Sequence, residues 1–134
     1  MDEKYSEATA QRPQGERTLD APLVSISLGL FLEQIRNEKT WEDSDRNAIT
    51  VFKTNGMRIV LIALHKNAEL SRHTANGIIS VQVLEGQLTF NTDRQSVELN
   101  KGGLVTLHQG IPHSIVAKEE SVFLLTLTTT LAEK

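Results

Sequence analysis

From Asn47 onward the chain is a series of short runs rich in β-branched and aromatic residues, each closed by turn-forming residues. The runs are AITVFK, MRIVLIAL, IISVQVL, QLTFNT, SVELN, LVTL, HSIVA and VFLLTLTTTL. Between them stand Asn55-Gly56, Glu85-Gly86, Asp93-Arg94, Lys101-Gly102-Gly103, the loop HQGIP and Glu119-Glu120. Asn-Gly between two such runs is the strongest short hairpin signal, because both central positions of the tight turn favour positive φ. No helical segment separates consecutive runs, which argues against a parallel sheet built on crossover helices. The spacing predicts an all-β fold of about nine short antiparallel strands, arranged as a sandwich or small barrel.

Upstream the pattern changes twice. Residues 1–20 are polar, with Pro13 and Gly15, and read as an N-terminal arm with little to bury. Residues 21–134 read as one domain, since 134 residues suffice for a single core and are too few for two. Leu28, Phe31, Leu32 and Ile35 recur at helical spacing behind Ser27, a residue suited to capping. They predict a short amphipathic helix near 28–38, running out towards Trp41, whose apolar stripe packs against the outside of the strands. Leu30, Phe31 and Trp41 read as packing residues.

Charge and composition remove several functions. The 14 basic and 17 acidic residues are interspersed and sum to −3, leaving no basic stripe for nucleic acid and no polybasic membrane patch. With no cysteine there is no disulfide, thiolate metal site or cysteine nucleophile. The opening MDEKYSEATAQRPQGERTLD has no apolar core of the kind a signal peptide or membrane anchor needs, so a cytoplasmic protein is expected.

Residues 57–128 resemble the cupin superfamily. The first motif of that family is similar to Gly-x5-His-x-His-x3–4-Glu-x6-Gly, and counting back from Gly86 places its slots on Ile79, Ala75, His73 and Asn67. The second is similar to the stretch GLVTLHQGIPHSIVA, with Gly103, Gly110, Pro112 and His113 in register, His108 in a proline slot and Ala117 in an asparagine slot. The resemblance implies an antiparallel double-stranded β-helix, or jelly-roll barrel. It also implies a divalent metal (zinc, iron, manganese or nickel) held by two histidines and a glutamate of the first motif and the histidine of the second. Here His73 and His113 remain, while Ala75 and Ile79 fill the other two ligand slots. Neither replacement has a lone pair to donate, and two imidazoles fall short of the three protein ligands usual in catalytic zinc or non-haem iron sites.

Alternation along the strand after His73 places Ile79, Val81 and Val83 on one face, so the interior beside that histidine is expected to be apolar. The expected pocket comprises His73, His113, Ala75, Ile79, Val81, Val83, Phe90 and His108. His65 reads as a solvated residue at a strand end, Glu85 and the Glu119-Glu120 pair as solvated turns, and Gly86, Gly103 and Gly110 as turn requirements. Two functions follow. In one, the barrel binds a small, largely apolar molecule whose polar end His73 and His113 orient. In the other, a metal-dependent oxygenase or isomerase uses the same pair with a weakly held divalent metal. A metal-free epimerase of the kind the family implies would pair a base with a tyrosine, and the single tyrosine is Tyr5 in the arm. A homodimer is expected as well, through the N-terminal segment or an edge strand, for which VFLLTLTTTL is the apolar candidate.

Overall fold

The computed structural model describes residues 4–5 and 18–129, so the larger part of the arm and the last residues of VFLLTLTTTL lie outside the described residues. Nine strands form two antiparallel sheets. They are β3 (Arg46–Lys53), β4 (Met57–Leu64), β5 (Glu69–His73), β6 (Ile79–Glu85), β7 (Gln87–Thr92), β8 (Ser96–Asn100), β9 (Leu104–Leu107), β10 (His113–Ala117) and β11 (Ser121–Thr128). One sheet has the order β3-β4-β11-β6-β9 and the other β5-β10-β7-β8. The chain passes from sheet to sheet at almost every connection, which produces the jelly-roll that the sequence resemblance implies, with β3 added at one edge. Between the sheets lies the main core, where Leu64, Val81, Val83, Leu88 and Phe123 are fully buried.

Three details depart from the sequence reading. Strand β5, ELSRH, was not among the expected runs because it is polar and mostly exposed. It is recruited by pairing with β10, so His73 ends one strand as well as preceding the next, β6. VFLLTLTTTL is not an edge: β11 pairs with β4 on one side and β6 on the other, and its apolar side chains serve both faces of a central strand. Asn55-Gly56 does join β3 to β4, but neither residue has positive φ. The carbonyls of Asn55 and Gly56 instead accept hydrogen bonds from the hydroxyl and backbone N–H of Thr129, at 2.7 and 3.1 Å, which fixes a different turn.

The outer face of the larger sheet is covered by α1 (Leu28–Asn37) and α2 (Lys39–Asp43). The expected helix breaks at Glu38, whose backbone is extended. Ile35 and Trp41 bury against Ile49, Val51, Leu61, Ala63 and Val122, as the apolar stripe requires. Leu30 is 68% exposed and does not pack as expected, because it lies off that stripe. Ser27 makes no side-chain cap; its carbonyl accepts from the Phe31 N–H. Buried Glu38 accepts from Asn47 and Gln34, at 2.9 and 2.8 Å, locking the helical layer to β3. Arg36 donates to both Glu85 and Glu120, so these two expected solvated turns are joined to α1 by one guanidinium. His65 stacks on Trp41 with ring centroids 3.5 Å apart and shares a 2.8 Å hydrogen bond with its carbonyl, and is therefore a packing residue. Backbone pairing also joins β1 (Lys4–Tyr5) to β2 (Thr18–Asp20), and β2 lies against β3. Among the described residues, no helix is long and apolar enough to cross a membrane.

Candidate functional site

Antiparallel pairing of β10 with β5 sets His113 directly opposite His73, at the open end of the smaller sheet. Pro112 and Gly110, the latter with φ +76°, shape the loop that delivers His113 to the first position of its strand. The two rings lie 4.3 Å apart, tilted by 54°. Nδ1 of His73 is 2.7 Å from the Ser71 carbonyl, and Nδ1 of His113 is 2.9 Å from the Ile111 carbonyl. A carbonyl can only accept, so each Nδ1 carries the proton, and in the neutral form each Nε2 keeps its lone pair.

The two histidines differ in environment. His73 is exposed, whereas His113 is only 3% exposed and stacks on Phe90 at 5.5 Å. Burial pushes the pKa of His113 down, outweighing the Ile111 carbonyl that favours its protonated form, and the neighbouring His73 pushes the same way. His113 thus presents a neutral imidazole near pH 7.

Facing this pair is the inner surface of the larger sheet, organised in rows across the strands. Arg58, Leu127 and Ile79 are successive partners on β4, β11 and β6; Val60, Leu125 and Val81 form the next row, and Ile62, Phe123 and Val83 the third. A cavity of about 380 Å³ opens between the outer row and the histidines. Its walls are Leu70, Ile115, Leu125 and Leu127, with Phe123 below and Arg58, Thr74, Ala75 and Asn76 near the mouth. The mouth loop is seated firmly: the Thr128 N–H donates to the Ile78 carbonyl at 2.9 Å, and a Cβ on Gly77 would fall 1.5 Å from the Thr128 carbonyl oxygen.

Four of the eight expected pocket residues, His73, Ala75, Ile79 and His113, meet in this cavity. Val81, Val83 and Phe90 face inward as alternation requires, but they are part of the packed core and do not line the opening. His108 follows the end of β9, is exposed, and does not reach the cavity. Missed by the sequence reading were Arg58, Leu70, Ile115, Phe123, Leu125 and Leu127. Strand parity held the signal for Arg58, which shares the inward face of β4 with Ile62 and Leu64.

Asn67, in the slot where the family motif has glycine, is the one non-glycine residue with positive φ among those described, at 74°. Asparagine tolerates this conformation better than other side chains, so the backbone of the motif is kept although the residue is not. The positive φ before β9 belongs to Gly102, at 87°, and not to the expected Gly103.

The donor set does not fit a catalytic metal. Ala75 and Ile79 offer no lone pair, and among the described residues no three His, Cys, Asp or Glu side chains are grouped to hold an ion. A second crevice, of about 430 Å³, lies on the outside between residues 18–26 and α1. It has no titratable side chain among Thr18, Ala21, Leu23, Val24, Ser25, Ile26, Phe31 and Val51, and offers fewer means of orienting a ligand.

The model of one protein family, described as the AraC-like ligand binding domain, matches residues 57–131. No curated protein matches the chain. Among solved structures, a conserved Streptococcus pyogenes protein of unknown function is 21% identical with a TM-score of 0.68, covering 85% of this chain and 94% of its own. A cupin superfamily protein from Desulfitobacterium hafniense is 15% identical with a TM-score of 0.62, over 63% of this chain and 78% of its own. Salicylate 1,2-dioxygenase from Pseudoaminobacter salicylatoxidans is 17% identical with a TM-score of 0.69, over 82% of this chain but 34% of its own. At these identities the likeness is one of fold, and the fold is that of the cupins.

Proposed function

Because the chain belongs to the family of AraC-like ligand-binding domains, we propose that its barrel binds a small, largely apolar molecule between the two sheets. His73 and His113 orient the polar end of that molecule through their Nε2 atoms. The observation that carries this reading is the cavity itself: about 380 Å³, apolar on most sides, with two oriented imidazoles on one edge. Pockets of this size and character, apolar walls with a few converging polar groups, are the usual form of small-molecule sites.

The metal-dependent oxygenase or isomerase reading needs a third protein ligand, and Ala75 and Ile79 occupy the places from which it would come. Binding is therefore favoured over metal catalysis. We also propose a homodimer, favoured by the exposed apolar residue on the edge strand β9, where Leu104 is 57% exposed.

The test of the binding reading is a plug. Ala75 is half-buried in the wall, and Ala75→Trp fills the opening while leaving the strands intact. A small apolar ligand that raises the melting temperature of the parent should leave that of the variant unchanged. Equal stabilisation of both proteins would place binding elsewhere.

A further inference from the structure

We infer that the ligand is a small organic monoanion whose carboxylate pairs with Arg58 at the cavity mouth and whose apolar body lies between the sheets. This rests on the binding reading above and specifies its chemistry. Among the described residues that line the cavity, Arg58 is the one formally charged side chain, and no carboxylate of theirs joins it there. Arg36, Arg46 and Arg72 each hold a carboxylate of this chain, whereas Arg58 forms no ion pair among the described residues. Its position is fixed by register: it stands opposite Leu127, which stands opposite Ile79, so a guanidinium adjoins two aliphatic residues in one inward row, with Lys53 of β3 as its partner on the other side and outside the cavity lining.

A guanidinium is always charged and presents a planar fork that fits a carboxylate through two parallel hydrogen bonds. His113, held neutral by burial, does not take that role. With its Nδ1 proton donated to the Ile111 carbonyl, the Nε2 lone pair of His113 would repel a carboxylate and instead accept from a hydroxyl or amide of the ligand. One fixed cation balances one charge, so a monocarboxylate suits the site better than a phosphate dianion, whose second charge would meet Leu127, Leu125 and Ile115.

Calorimetric titration of the full chain with two matched pairs, benzoate with benzamide and hexanoate with hexanamide, tests this. Each carboxylate should bind about tenfold or more tightly than its amide, and Arg58→Gln should abolish that difference without weakening the amide. On the parent protein, carboxylate binding should weaken as salt is raised while amide binding holds, which reads the same contact without any variant. Amides that bind as well as carboxylates, or a preference that survives Arg58→Gln, overturn the anion assignment and leave the cavity reading standing. If no probe binds, or if Ala75→Trp binds as the parent does, the cavity reading fails and the anion assignment with it.

Discussion

Replacing Phe123 by alanine should destabilise the protein by about 3 kcal/mol, towards the lower end of the roughly 3–5 kcal/mol typical of Phe→Ala in a core. The ring is fully buried, lies between Ile62 and Val83 in the third inward row of the larger sheet, and forms the floor of the cavity. Because one side already borders open space, it has fewer packing partners to lose than a ring enclosed on all sides. Equilibrium unfolding in urea measures the effect. With a denaturant slope of about 1.5–2 kcal/mol per molar, the midpoint should fall by about 1.5–2 M at unchanged slope. Phe123→Leu, which keeps much of the volume, should cost about 1 kcal/mol and remain measurable if the alanine variant does not fold. A loss below about 1 kcal/mol for Phe123→Ala, at constant slope, would mean that the ring does not span the sheets under the cavity.

Other consequences are equally open to measurement. Ala75→His combined with Ile79→Glu restores the two absent donors beside His73 and His113, and calorimetry with zinc should show affinity at least about a hundredfold above the parent; an unchanged affinity in a folded double mutant would mean that these four positions do not converge. The folded-state pKa of His113 is lowered, so as pH falls the unfolded chain takes up the proton first, and stability declines below the ordinary histidine value of about 6.5. His113→Gln should flatten that decline between about pH 7 and 5 in urea unfolding, and an unaltered slope would count against the burial of the imidazole. Light scattering on the purified chain should give twice the chain mass, and a monomer at micromolar concentration would contradict the dimer.

How far the sequence led depends on which physical signal each element carries. QLTFNT, SVELN, LVTL and HSIVA became strands with the expected bounds, because turn residues close each run on both sides. β5 left no such trace: ELSRH becomes a strand through the hydrogen-bonding edge of β10, a partner forty or more residues away. Motif spacing singled out His73 and His113, which the pairing of β5 with β10 sets opposite each other. It did not reveal the Nδ1 contacts to Ser71 and Ile111, since backbone carbonyls have no residue signature. His108 was misplaced because sequence proximity to His113 says nothing about which side of a loop a ring occupies. Arg58 went unnoticed inside MRIVLIAL, an otherwise apolar run, and only the pairing of β4 with β11 gives it meaning.

The most direct measurement is a backbone amide NMR titration of the isotopically labelled protein with hexanoate. Chemical-shift changes should centre on Leu70, His73, Ala75, Ile79, His113, Ile115 and Leu127, the residues around the inner cavity. Changes centred on Leu23, Val24 and Phe31, in the outer crevice, would contradict the assignment of the inner cavity as the binding site.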